Sequence, residues 1–206
     1  AQDIPILRQK VAVFLDQEGA SPNSHDYKYL LEVVDNMPTD EALAIPADQL
    51  RLIPRLALGV FSHEETRTLS FIDELKRRAL TVVVLPPERF SAQAQDAIQH
   101  IIEWAFEAPA GSSEIHLDST KRRQYRLYFS TPLPPRHSGE IPQEALTSQI
   151  PEATLTWEER LQALLEPQEN LSWDPAAFPS DYQAGTSVDE ALFDIKTMAG
   201  LSTEHP

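Results

Sequence analysis

Ala79-Leu80-Thr81-Val82-Val83-Val84-Leu85, closed by Pro86-Pro87, is the stretch on which the fold turns. It is almost wholly apolar and rich in β-branched residues, the pattern of a central strand buried on both faces. The two prolines end it, because proline cannot donate to a sheet ladder. Upstream, Asp73–Arg78 is a charged turn, and Thr66–Ile72 alternates with Leu69 and Phe71 on one face. Downstream, Ser91 caps a helix that runs to about Glu107 and carries Ala94, Ile98, Ile101, Ile102 and Ala105 on one side. Pro109-Ala110-Gly111 is a turn. Two further alternating segments follow. In Ser113–Asp118, Ile115 and Leu117 oppose Glu114, His116 and Asp118; in Gln124–Ser130, Tyr125, Leu127 and Phe129 oppose Arg126 and Tyr128. The order is β-β-α-β-β, an α+β antiparallel sheet with helices on one face.

Helical segments flank this centre. Residues 4–18 place Leu7, Val11, Phe14 and Leu15 on one face, and Gly19 ends that helix before a turn at residues 20–23. Ser24 or Asn23 caps a second helix carrying Tyr27, Leu30, Leu31 and Val34, which Pro38 stops. Thr39-Asp40-Glu41 opens another, with acids in the first turn where the helix dipole favours them. A longer helix spans about Ala47 to His63, interrupted by Pro54. Beyond the proline-rich connection Thr131–Gly139 the chain is helical again. Thr156-Trp157-Glu158-Glu159 and Ser187-Val188-Asp189-Glu190 are capping-box patterns. The second opens a helix with Val188, Ala191, Leu192, Ile195 and Met198 in one stripe. Leu171–Ala184 reads as irregular packing. Three parts follow: a helical segment at 1–63, an α/β sandwich at 64–135 and a helical segment at 136–206.

Composition narrows the function classes. The 206 residues carry a net charge of −15, with 17 prolines, 6 glycines and no cysteine. So acidic a chain is a poor partner for nucleic acid, whose phosphates require a basic surface, and for anionic membranes. Without cysteine there is no disulfide or thiolate chemistry, which fits the cytoplasm. No apolar run approaches the ~20 residues of a membrane span. The chain opens on Ala1-Gln2-Asp3 with no signal-peptide pattern and no methionine, and is expected to be a piece of a longer protein; methionine removal would give the same start.

Gly19, Gly59, Gly111, Gly139, Gly185 and Gly200 lie far apart, so no dinucleotide fingerprint or phosphate-binding loop exists. No catalytic, cofactor-binding or metal residue is assigned. Three charged constellations stand out. Glu114, His116 and Asp118 share a strand face, either a hard-ligand set or the solvent face of the sheet. His63-Glu64-Glu65 resembles part of a metal motif but lacks a second histidine in register. Lys76-Arg77-Arg78 and Lys121-Arg122-Arg123 are basic turns in an acidic chain, either contacts for anions or an acidic neighbour, or solvated hairpin tips. The first and third groups form the candidate contact surface.

Separated pieces, in order, resemble the region upstream of the catalytic domain in the large bacterial NAD-specific glutamate dehydrogenases. They are Ile4–Val11; Ser24-His25-Asp26 with Leu30-Leu31; Pro38-Thr39-Asp40-Glu41 with Leu43 and Ile45; and Pro86-Pro87-Glu88-Arg89-Phe90. Tyr125–Phe129, Thr156-Trp157-Glu158-Glu159-Arg160-Leu161, Phe178-Pro179-x-x-Tyr182 and Asp194-Ile195 continue the series. Pro87 stands where the family has an arginine, and Asp73-Glu74-Leu75 where it has a basic turn, so no role of those positions is carried over. The resemblance implies an ACT-like regulatory region. It implies a parent that oxidatively deaminates L-glutamate with NAD, while this segment holds no cofactor. The implied partners are other domains of the polypeptide, neighbouring subunits of a homo-oligomer and a small amino-acid effector. A freestanding amino-acid sensor and a ligand-free spacer are the alternatives. Val82, Val84, Ile98, Ile101, Leu127 and Phe129 are expected to share one core, with the sheet's other face open or paired with another domain.

Overall fold

The computed structural model describes residues 4–17, 24–63, 65–120, 124–168 and 173–204. The turn at 20–23, Glu64 and the basic turn Lys121-Arg122-Arg123 lie outside them. The chain divides into two units, Ala1–Thr154 and Leu155–Pro206.

The first unit is built on a four-stranded antiparallel sheet of order β1-β2-β4-β3. The strands are β1 (Arg67–Ile72), β2 (Arg78–Leu85), β3 (Glu114–Thr120) and β4 (Gln124–Pro132). The apolar run of β2 lies between β1 and β4, so both its edges are paired. Between β2 and β3 comes α6 (Ala92–Ala105), capped by Ser91, whose hydroxyl accepts from the Ala94 amide at 3.0 Å.

Among the described residues five helices precede the sheet: α1 (Pro5–Gln17), α2 (His25–Asp35), α3 (Thr39–Ala44), α4 (Ala47–Leu50) and α5 (Leu52–His63). The long helix expected over Ala47–His63 is therefore two. Pro54 lies in the first turn of α5, where its missing N–H costs nothing and its ring excludes a helical bond to the Leu50 carbonyl. Lys10 reaches from α1 to the end of α3, donating to the carbonyls of Leu43 and Ile45 at 2.6 Å each. Burial lowers its pKa, opposed by the Glu74 carboxylate.

The sheet divides the apolar side chains by parity. Phe71, Leu80, Val82, Val84 and Tyr128 pack with the N-terminal helices. Ala79, Val83, Leu85, Leu127 and Phe129 pack with Ile98 and Ile102 of α6 and with Leu146 and Ile150 of α7 (Gln143–Ala153). The single core expected from the sequence is thus two. Val82 and Val84 are separated by the sheet from Ile98, Ile101, Leu127 and Phe129, because residues of even number on β2 face the N-terminal helices. The face opposite α6 is covered by those helices. α7, within the stretch read as C-terminal helical segment, packs on α6 and β1.

The second unit contains α8 (Trp157–Leu165), α9 (Ser180–Gly185) and α10 (Val188–Glu204) around Leu161, Leu165, Ala191 and Ile195. Thr156 and Glu159 form a complete capping box. Ser187 and Glu190 repeat it, with the Glu190 amide donating to the Ser187 hydroxyl at 3.3 Å and the Ser187 amide to Glu190 at 2.9 Å. Trp157 meets Phe178 edge-on at 5.4 Å, its indole N–H donates to the Thr186 carbonyl at 2.8 Å, and the Tyr182 hydroxyl donates to Asp194 at 2.6 Å. The three C-terminal pieces of the family resemblance thus converge in one small core. Among the described residues no helix is long and apolar enough to cross a membrane.

Candidate functional site

The turn between β1 and β2 is organised by Asp73. Its Oδ1 accepts from the backbone amides of Arg77 at 2.6 Å and Arg78 at 2.8 Å. Lys76 sits in the left-handed region at φ 53°, an uncommon conformation for a side chain of its size. Its ammonium donates to the Ser138 carbonyl at 3.2 Å, and its stem lies against Gly139. Gly139 has φ +85°, a conformation that favours glycine, and a Cβ there would fall 2.6 Å from Nζ at the movable end of the Lys76 side chain. Arg77 and Arg78 are exposed.

Arg78 reaches past β4 to Glu114 of β3, Nη2 to Oε1 3.1 Å. The fold therefore joins two charged groups that are far apart in sequence. Glu114, His116 and Asp118 do share one face of β3, but they act separately. Glu114 pairs with Arg78. The exposed His116 ring lies 5.9 Å from that of Tyr128. Asp118 accepts from Arg126, with Nε at 2.9 Å. On the other side of β3, Ile115 packs against the α6 core, while Leu117, assigned to the same covered face, is 42% exposed. Among the described residues no group of three or more His, Cys, Asp or Glu side chains is placed to hold a metal ion.

The residue that sequence reasoning missed is Arg126, at 0% exposure. A guanidinium so deep needs a partner, and Asp118, directly across the β3–β4 pair, supplies it. Beside it Gln124 donates to the Tyr29 hydroxyl of α2 at 2.7 Å. Burial raises the pKa of the Tyr128 phenol well above its ordinary value, with the Arg126 guanidinium opposing the shift. Arg126 Nη1 and the hydroxyls of Tyr128 and Ser130 are buried without a hydrogen-bond partner. The available signal was alternation: Arg126 and Tyr128 fall on the polar side of β4, but nothing local says that five helices cover that side.

Residues 4–65 match the family model described as glutamate dehydrogenase, helical motif 1, and residues 67–158 match that of the glutamate dehydrogenase ACT2 domain. The chain belongs to the glutamate dehydrogenase family. The boundary between the helical motif and the ACT2 domain falls between α5 and β1, so the face of the sheet carrying Arg126 is where the two meet. The Tyr29–Gln124 bond crosses that boundary. Over its whole length the chain is 25% identical to an NAD-specific glutamate dehydrogenase of Halomonas elongata, of which it covers 13%. Over 99% of its length it is 22% identical to the NAD-specific glutamate dehydrogenase of Pseudomonas aeruginosa, again 13% of that protein. The chain thus spans about an eighth of the curated relatives it matches. No solved structure matches it.

Proposed function

We propose that the chain is a non-catalytic regulatory and assembly segment of a large cytoplasmic NAD-dependent glutamate dehydrogenase, whose parent reaction converts L-glutamate to 2-oxoglutarate and ammonia. The observation that carries the reading is the pair of adjacent matches, helical motif 1 and ACT2 domain, in a chain that covers 13% of its relatives. The six scattered glycines support a site for NAD elsewhere in the parent. The parts are the helical segment 1–63, the ACT-like sandwich 64–135 and the helical segment 136–206. The contact surface comprises Glu114, His116 and Asp118 on β3, Lys76–Arg78 on the turn, and Lys121–Arg123. Its partners are other domains of the polypeptide and neighbouring subunits of a homo-oligomer.

The test places Lys76→Ala, Arg77→Ala and His116→Ala together in the intact dehydrogenase. Turnover per subunit at saturating glutamate and NAD should stay within about twofold, while oligomeric mass or the response to added amino acids changes. Loss of turnover with assembly intact would give the segment a catalytic part. Unchanged assembly and response would leave it a spacer.

A further inference from the structure

The sheet face under the helical motif falls into two halves. Over β1 and β2 it is apolar: Phe71, Leu80, Val82 and Val84 are buried there in one core with Ile53, Ala57 and Val60 of α5. α5 packs chiefly on these two strands. Over β4 and β3 the face is polar. Arg126 and Tyr128 stand on β4, directly across the ladder from Asp118 and His116 on β3. α2 meets this half through Tyr29, whose hydroxyl accepts from the Gln124 side chain at 2.7 Å.

The two halves resist separation from the helices differently. Over β1 and β2, separation puts apolar surface into water, which is unfavourable in proportion to its area. Over β4 it relieves two groups. Arg126 Nη1 and the Tyr128 hydroxyl are sealed from solvent without a hydrogen-bond partner, and each gains one from water once the cover lifts. The charge pair does not oppose the movement. Arg126 and Asp118 both belong to the sheet, so their contact survives it. Closure on this half relies on the Tyr29–Gln124 bond and on the packing of the Tyr29 and Tyr128 rings in the core.

We propose that α2 is a clasp on the ACT2 sheet: α5 stays seated on β1 and β2 while α2 lifts from β4 and closes on it again. The open form gives Arg126 and Tyr128 to solvent beside Asp118 and His116, as one polar shelf. A neighbouring domain that takes up this shelf holds the clasp open, because a partner shifts such an equilibrium toward the form it binds. That consequence rests on the regulatory reading, whereas the movement itself does not.

The 206-residue chain contains no cysteine, so a single introduced thiol reports its own exposure. Three buried valines are exchanged one at a time for cysteine, a near-isosteric change, and the rate of reaction with dithionitrobenzoate is measured. Val33→Cys lies on α2, one helical turn on from Tyr29; Val60→Cys lies on α5; Val83→Cys lies on the α6–α7 face of β2. The thiol at 33 should react at least about tenfold faster than the other two. In the Val33→Cys chain, Tyr29→Phe removes the acceptor of Gln124 and should speed the reaction about fivefold. Tyr128→Phe removes an unpartnered hydroxyl and should slow it about fivefold. Circular dichroism melts check that each variant folds. Equal rates at 33 and 83, a rate at 60 as fast as at 33, or either tyrosine change failing to move the rate at 33 in its stated direction would each overturn the clasp. These results leave the assembly experiment on the intact dehydrogenase untouched, and failure of that experiment leaves a measured opening standing.

Discussion

The two faces of the sheet bury polar groups in different ways. On the α6–α7 face the buried polar residues of the strands are small hydroxyls, and apart from Thr68, whose Oγ1 has no partner, they bond one another. Ser70 meets Thr81 at 2.9 Å, and Ser113 meets Thr131 at 2.9 Å. Thr66, just before β1, meets Thr154 at 2.7 Å. On the helical-motif face the buried polar residues are Ser130 and three long ones, Gln124, Arg126 and Tyr128. They include a charge and three unpartnered atoms, Arg126 Nη1 and the hydroxyls of Tyr128 and Ser130. Hydroxyl pairs cost little to bury because both partners are satisfied in place. A guanidinium in a core contributes less to stability than an apolar side chain of its volume and constrains more. The first face packs as the interior of one domain, the second as a joint between two.

The largest expected effect treats both faces alike. Val83→Asp on one and Val84→Asp on the other should each abolish the cooperative thermal transition, since an unpaired buried charge costs several kcal/mol on any side of β2. Retention of a sharp melt by the Val84 variant alone would make the helical-motif face the softer one. Next comes the charge pair. Asp118→Asn should cost about 3 kcal/mol by urea unfolding, because it leaves Arg126 buried and uncompensated, while Asp118→Leu with Arg126→Met should recover most of the loss. Ser70→Ala on the opposite face should cost only about 1 kcal/mol. Equal losses for Asp118→Asn and Ser70→Ala would erase the contrast.

A smaller effect is set by pH. Glu103, 2% exposed at the back of α6, accepts from the amides of Gly111 at 2.8 Å and Ser113 at 2.9 Å and from the Gln99 side chain at 2.9 Å. Burial alone would raise its pKa; the hydrogen bonds from Gln99, Ser113 and Gly111 outweigh it and hold the carboxyl below its ordinary value of 4.5. A depressed folded pKa stabilises the fold above the unfolded value, and that stabilisation is lost as pH falls through the folded one. Glu103→Gln should therefore lower stability at neutral pH by about 1–2 kcal/mol and flatten the acid limb of the stability curve. An unchanged acid limb would remove Glu103 from the account. The smallest effect is that of His116→Ala, within about 0.5 kcal/mol of the parent in chemical denaturation, since the ring is exposed.

Much of the fold was legible because its signals are local. Ser24, Ser91, Thr156 and Ser187 start their helices where capping chemistry says they should. Pro86 ends β2, and the alternation of β3 places Ile115 opposite Glu114 and His116. What escaped depends on distant partners. β2 is apolar on both sides, so it has no period to say which of Val82 and Val83 faces α6. Helix α7 has Leu146 and Ile150 as its buried residues and carries Pro151 in its last turn, a weak pattern made stable by α6. The candidate surface was legible as charges but not as contacts. Lys76 meeting Gly139, Arg78 meeting Glu114 and Arg126 meeting Asp118 all require the pairing of strands first.

The partition of β2 between two cores bears on how such a polypeptide can be recombined. A crossover between residues 65 and 67, where one family module stops and the next starts, would leave Val82, Val84 and Arg126 without the helices that bury them. A crossover after Thr154 passes between two units that each keep their own interior. Chimeras joined at the first point should be insoluble unless both donors share the residues facing Arg126, whereas those joined at the second should express as folded protein. The unit of inheritance in this segment is then the helical motif and ACT2 domain together, exchanged whole or not at all.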